Sequence, residues 1–248
     1  MAVNIDRVYQ KVLALANKEQ RGYITPQEFN LFADQAQLEI FEQYFYDLEQ
    51  RQRATGNEAE YIDIVTNIQE KISLFEMDIV ELTVDWSNSC VIPEDVYRLG
   101  LVRVDYSDDT SIAWRTCEKL EVEELKIYSD SPLTHQYNKF SYYYKRWTDN
   151  SGANKIRCYP RPQTGQDRVY VSYIKKPTRP SWTYVVSGGG HALYNPTASD
   201  LQHFQLHASE ESNLVIKILQ LAGVNIKDYN LVQVAAASEA KRIQQEKQ

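Results

Sequence analysis

The side chains of this sequence best suited to chemistry are four histidines, three cysteines and a few acidic clusters, and their spacing limits what they can do. His203 and His207 stand four apart, the interval between two zinc ligands on one helix face. The stretch Gln202-His203-Phe204-Gln205-Leu206-His207 alternates like a strand, however, which sets the two imidazoles too far apart for one ion. No glutamate follows His203 in the position an HExxH site needs. Gly188-Gly189-Gly190-His191 lacks the Gly-Lys-Ser/Thr step of a phosphate loop and reads as a mobile connection. Asp108-Asp109, Glu121-Val122-Glu123-Glu124 and Glu210-Glu211 fall in turns or first helical turns, where local structure explains them without acid–base catalysis. No serine sits in a GxSxG elbow. Cys90, Cys117 and Cys158 are far apart and odd in number, which predicts buried or half-buried free thiols in a reducing compartment rather than disulfides or a zinc site. The expectation is a protein without catalytic residues, metal ligands or cofactors: not an enzyme.

The elements around these residues follow from the patterning of 248 residues, 43% hydrophobic and 25% charged, the proportions of a soluble globular protein of one or two domains. No apolar run approaches 18 residues, so no membrane span is expected, and charges interrupt the N-terminus too early for a signal peptide. Ile5, Val8, Val12 and Leu15 predict a first helix over Ile5–Asn17, followed by a turn at Arg21-Gly22-Tyr23. Thr25-Pro26-Gln27-Glu28 combines an N-cap, a first-turn proline and a capping box. The helix it opens carries Phe29, Phe32, Ala36, Ile40 or Leu38, Phe41, Phe45 and Leu48 towards about Arg53. A third helix carries Tyr61, Ile64, Val65, Ile68, Ile72 and Phe75.

Beyond Met77 the period changes to two. Leu82, Val84 and Trp86 predict a strand, Val91–Arg98 a strand end and short helical turn, and Leu99–Tyr106 a second strand closed by Ser107-Asp108-Asp109. Glu118–Tyr128 reads as a short helix ended by Pro132. Phe140–Trp147, Ile156–Tyr159 and Arg168–Lys175 then predict a three-stranded meander with turns at Asp149–Gly152 and Gln163–Gln166. Ser181–Tyr194 reads as a loop or loose hairpin, and Phe204 and Leu206 as a brief strand. Ser209 is placed to cap Glu210–Ala222, with Gly223 as C-cap. Asp228 caps a last helix, Leu231 to about Gln245, whose thin apolar stripe predicts that it orders by docking. The fold class is α+β: an N-terminal helical bundle (1–80), a central, largely antiparallel β-region (81–207) and C-terminal helices (208–248).

Charge and aromatic content bear on partners. The net charge of -7 argues against a surface built to grip nucleic acid throughout. Between Lys155 and Arg179, though, stand seven basic residues and one acid, Asp167, beside Tyr142-Tyr143-Tyr144-Lys145-Arg146-Trp147. Such interleaving can bind single strands, can be an ordinary solvated sheet face, or can pair with the acidic remainder of another copy. Eighteen tyrosines against seven phenylalanines suit half-buried contact surfaces.

Taken in order, the helical hairpin, the tyrosine-rich segment containing Tyr159-Pro160-Arg161-Pro162 and Tyr173-Ile174-Lys175-Lys176-Pro177, and the passage from Phe204 through Gly223 into a terminal helix resemble the tail adaptor, or head-to-tail connector, proteins of tailed bacteriophages. The resemblance implies a structural virion protein located in the neck or tail and assembled in the host cytoplasm. It implies a ring of twelve copies under the portal that extends the DNA channel, contacts tail tube or nozzle proteins, and passes double-stranded DNA without specific binding. Carried onto this sequence, it places portal contacts in the C-terminal segment, at Leu214, Ile218, Leu221, Leu231, Val234 and Ile243. Tail or subunit contacts fall at Tyr142, Tyr144, Arg146, Trp147, Arg161 and Tyr173. The longer stretches Val91–Ser131 and Pro180–Asp200 depart from short family members. Other readings are a tail-tube or ring component lower in the channel and, from a different class, a nucleic-acid-binding accessory protein.

Overall fold

The structure, a computed structural model, describes residues 3–18, 24–53, 59–106, 114–132, 134, 142–188, 191–225, 237, 240 and 241. It is a mixed α/β protein with helices toward both ends and a large, mostly antiparallel sheet between them. The chain divides into two compact units: Met1–Leu74 with Pro177–Gln248, and Phe75–Lys176. The helical unit is thus assembled from both ends of the chain, and residues 177–207, read from sequence as part of the β-region, belong to it.

In the helical unit, α1 (Ile5–Lys18) buries Ile5, Val8, Tyr9, Val12 and Ala16. Helix α2 (Pro26–Arg53) begins at the expected capping box. The Glu28 N–H donates to Thr25 Oγ1 at 3.3 Å and the Thr25 N–H to Glu28 Oε2 at 3.0 Å, which holds the Glu28 carboxyl below its ordinary value. Its buried face is Phe29, Ala33, Ala36, Gln37, Ile40, Phe41 and Tyr44. Helix α3 (Ala59–Ser73) follows. Two strands, β8 (Tyr184–Val186) and β9 (Ala192–Tyr194), form a separate hairpin, the loose-hairpin reading of that segment.

Three C-terminal expectations need correction. His207, not Ser209, is the N-cap, of a 3-10 turn over Ala208–Glu210. Helix α5 (Glu211–Asn225) then runs through Gly223 instead of being capped by it, with a buried stripe of Leu214, Ile218 and Ala222. The brief strand at Phe204 is a single bridge to Val3. The turn at 21–23, the turn at 107–109 and most of the expected last helix lie outside the described residues, which there include only the helical positions 237, 240 and 241.

The second unit is a seven-stranded sheet in the order β1-β7-β3-β4-β5-β6-β2. Its strands are β1 (Glu76–Leu82), β2 (Cys90–Val91), β3 (Val96–Asp105), β4 (Arg115–Lys119), β5 (Tyr143–Thr148), β6 (Asn154–Tyr159) and β7 (Arg168–Lys175). A bridge between Val84 and Cys90 links the continuation of β1 to β2, so the first and last strands meet and the sheet rolls around one core. Every strand contributes to that core: Leu82, Cys90, Val102, Val104, Cys117, Tyr144, Ile156, Cys158, Val169, Val171 and Tyr173.

Several sequence expectations change here. β5 and β6 form the expected hairpin, but β7 pairs with β1 and β3 rather than β6, so there is no three-stranded meander. Alternate burial of Val169, Val171 and Tyr173 suits β7 to a central position between two long strands. The helix expected from Glu118 starts later: residues 115–119 are β4, and α4 (Val122–Asp130) begins at a Glu121/Glu124 capping box. No helical turn follows Val91; a turn at 94–95 leads directly into β3. β1 ends at Leu82, and Trp86 lies in the turn beyond it.

Candidate interaction surface on the rolled sheet

The face of β5 and β6 turned away from the core carries Lys145, Trp147, Lys155 and Arg157, because their neighbours Tyr144, Ile156 and Cys158 fill the interior and side chains alternate along a strand. Trp147 stands opposite Lys155, and Lys155 opposite Val91 of β2. The Arg157 guanidinium lies over the Trp147 ring at 4.8 Å from its centroid, a cation–π contact that fixes both side chains. Arg157 also reaches Ser89 Oγ at 3.4 Å. Lys155 bridges to Asp149 at 2.8 Å and Asp85 at 3.8 Å. Its hydrogen bond holds the Asp149 carboxyl below, and the ammonium above, their ordinary values.

Beside this face the turn 85–89 holds out Trp86, which is 85% exposed. The turn is fixed from both sides. Asn88 Nδ2 donates to the Pro162 carbonyl at 2.6 Å, Thr164 Oγ1 donates to the Asp85 carbonyl at 2.9 Å, and the Asp85 N–H donates to the Ser89 carbonyl at 2.7 Å. Asn88 takes the left-handed conformation at φ 55°, which asparagine tolerates better than most residues. A large aromatic ring is therefore exposed on a backbone with little freedom left to lose, the arrangement that favours anchoring in a partner.

Of the residues expected from sequence to contact the tail or another subunit, this surface holds Trp147; Arg146, opposite the core residue Ile156, alternates to the other face of β5, and Arg161 is exposed beyond the end of β6. Tyr144 and Tyr173 are instead core residues, Tyr173 with its hydroxyl 3.5 Å from Asp95 Oδ1. Tyr142 is half-buried between the Tyr106 ring and the Arg115 guanidinium. Of the residues expected to meet a portal, Leu214 and Ile218 are fully buried in the helical unit and Leu221 is half-buried. These three hold α5 in its own unit. Leu231, Val234 and Ile243 lie outside the described residues.

Sequence reasoning missed Trp86, placing it in a strand; its neighbours Ser87-Asn88-Ser89 are turn formers and were the available signal. It also missed a second aromatic group on the outer side of the sheet. There the Trp114 ring lies tilted against the Tyr170 ring, centroids 5.4 Å apart, with Arg103 over the Trp114 ring at 5.6 Å.

The basic stretch is less available than its composition suggests. Four of the seven cations between Lys155 and Arg179 stand within 4 Å of a carboxylate: Lys155, Arg168 with Glu81, Lys175 with Asp95, and Arg179 with Asp34. Carboxylates among the cations repel phosphate, which weighs against a track for a nucleic-acid strand.

The remaining polar candidates have local roles. His203 Nδ1 accepts the Ile5 N–H at 3.4 Å and His207 Nδ1 accepts the Ser209 N–H at 3.3 Å. Among the described residues no cluster of three His, Cys, Asp or Glu side chains could hold a metal ion. The three cysteines are buried thiols in the sheet core. Burial pushes Cys90 up to about 12, and a hydrogen bond with Cys117 together with burial raises Cys158. Thiols shifted in that direction are poor nucleophiles at neutral pH. Among the described residues no helix is long and apolar enough to cross a membrane. No protein-family model and no curated protein matches this chain.

Proposed function

We propose that this protein is a structural component of a tailed-bacteriophage virion, a tail adaptor that forms a ring of about twelve copies between portal and tail and extends the DNA channel. It acts by assembly and not by catalysis. The observation that carries this reading is the exposed Trp86 on its hydrogen-bonded turn, beside the Trp147–Arg157 pair: a rigid aromatic and cationic surface suited to a protein partner. The order of segments along the chain, on which the resemblance to the adaptor family rests, supports reading that assembly as the portal–tail connection. In this reading the rolled sheet meets tail components, and the chain beyond α5 reaches the portal. DNA passes through the lumen of an overall acidic ring without specific binding.

The test is co-sedimentation of the full-length chain, and of a chain ending at Asn225, with rings of the cognate portal. The end point keeps α5, whose buried Leu214 and Ile218 belong to the helical unit. Saturable binding lost on truncation supports the adaptor with its portal contact beyond residue 225. Binding that survives moves the contact to the helical unit. No binding by either form overturns the adaptor in favour of a tube or ring component placed lower in the tail.

A further inference from the structure

The β8–β9 hairpin is built differently from the other sheet of this protein. It has only two strands, and among the described residues no third strand pairs with either edge. A lone two-stranded hairpin is marginal in water; three strands or a packed face are the usual requirement. Its base is held firmly. The Trp182 ring stacks with Tyr184 at 5.8 Å and Tyr194 at 5.9 Å, its indole N–H donates to Asp6 at 3.0 Å, and its backbone is clasped by the Asn30 side chain at 2.8 and 3.1 Å. Beyond that base Val185, Val186 and Leu193 are 56, 61 and 59% exposed.

The edges are also unguarded. Sheet proteins commonly protect an open edge with charge, proline or a bulge. The open side of β1 has two of these: Glu76, Asp78 and Glu81 along the strand, and a bulge between Met77 and Val80 where Ile79 takes φ 56°. β8 and β9 have none, and no Lys, Arg, Asp or Glu occurs from Pro180 to Ser199. Copies of a chain with net charge -7 repel one another over most of their surface, and this uncharged stretch is where they can approach with least repulsion.

The ladder shows which amides are available. The Ser187 N–H donates to the His191 carbonyl and the Asn195 N–H to the Thr183 carbonyl, both at 2.9 Å. Bonded pairs recur at every second residue of an antiparallel ladder. Val185 and Leu193 are then the bonded pair between them, and the N–H groups of Tyr184 and Val186 on β8, and of Ala192 and Tyr194 on β9, point outward.

From these features we infer that the hairpin joins one copy of this chain to the next, β8 of one copy pairing with β9 of its neighbour. The inference rests on the ring reading above and names its subunit contact. Pairing β8 with β8 of a second copy would satisfy one edge and leave the other open. Pairing β8 with β9 uses both edges of every copy and closes when the rotation permits.

Val186→Pro removes an outward N–H from β8 and Ala192→Pro one from β9, neither of them used within the hairpin. Sedimentation velocity of the full-length wild-type chain at rising concentration should show assembly. Each variant alone should remain monomeric, whereas an equimolar mixture should form a one-to-one heterodimer and nothing larger, since one intact β9 meets one intact β8. Rescue in the mixture also shows that both variants are folded. A monomeric wild type, assembly of either variant alone, or a mixture that does not pair overturns the inference. Assembly that persists in both variants leaves the adaptor reading standing, whereas hairpin-dependent rings that ignore the portal overturn the adaptor alone.

Discussion

Gln37 accepts the backbone N–H of Gln205 on its side-chain oxygen at 3.0 Å while lying fully buried in the apolar face of α2. Its Nε2 donates to the Thr178 carbonyl at 2.9 Å. Gln205 completes the arrangement by accepting the Thr178 N–H at 2.9 Å and donating to Thr178 Oγ1 at 3.1 Å. One glutamine on a helix thus satisfies two non-helical segments of returning chain. Gln37→Leu keeps the volume and takes this partner from the N–H of the half-buried Gln205 and from the Thr178 carbonyl, a loss of about 1–2 kcal/mol. Chemical denaturation should show this, while Gln35→Ala, on the exposed face, should change stability by less than about 0.5 kcal/mol. Equal effects would show that the clasp contributes nothing.

Gln37 also marks where sequence reading stopped. The capping box at Thr25–Glu28, the α1 stripe apart from the exposed Leu15, and the β5–β6 hairpin were legible because each depends on residues a few positions apart. The partner of β7 was not, since β1 and β3 lie roughly sixty to a hundred positions earlier and only the assembled core selects them. The same holds for Trp86, whose turn is fixed by Pro162 and Thr164. Trp147 could be picked out because aromatic and basic residues crowd together along the chain there, but the same composition also picked out Arg146, which strand alternation sends to the other face. Tyr144 and Tyr173 share that composition and are buried, so strand alternation decides what composition cannot.

Gly100 tests the packing of β3 on β7. A Cβ at this position would lie 2.9 Å from the Ser172 carbonyl oxygen, a backbone atom that cannot turn aside. Gly100→Ala should cost about 1–3 kcal/mol through forced displacement of the two strands. Gly188→Ala, where an added Cβ meets nothing within 4 Å, serves as the control and should leave the melting temperature nearly unchanged. A Gly100→Ala protein as stable as wild type would mean that the strands are farther apart at this point.

Glu211, at the start of α5, accepts hydrogen bonds from the Arg7 and Lys11 side chains of α1. Those bonds hold its carboxyl below the ordinary 4.5. A carboxyl depressed by folding adds stability above its unfolded pKa, and that contribution is lost as pH falls through the folded value. Glu211→Gln should therefore lower the melting temperature by about 2–4 °C at neutral pH. The gap between variant and wild type should narrow below pH 4.5 and vanish in stronger acid. A gap independent of pH would assign the effect to packing instead of charge. Glu210 differs from its neighbour: it is buried, turned to Lys71 of α3 at 2.7 Å and to Asn213 at 2.9 Å, so the two adjacent carboxylates tie α5 to two different helices.

Trp86 separates contact with a partner from stability. Its ring is exposed and the turn beneath it is held by Asn88, Thr164 and main-chain bonds, none of which uses the indole. Trp86→Ala should leave the unfolding free energy within about 0.5 kcal/mol of wild type. If the ring anchors a tail component, capture of cognate tail complexes by the immobilised chain should fall roughly tenfold or more. Trp147→Ala should differ, because it removes the platform of Arg157 and frees that guanidinium as well. It should weaken capture and also increase the salt sensitivity of what remains, since the cation is no longer held against a ring. Capture unchanged in Trp86→Ala, with stability also unchanged, would remove this turn from the contact surface. The outer group of Trp114, Tyr170 and Arg103 would then be the next candidate on the same sheet.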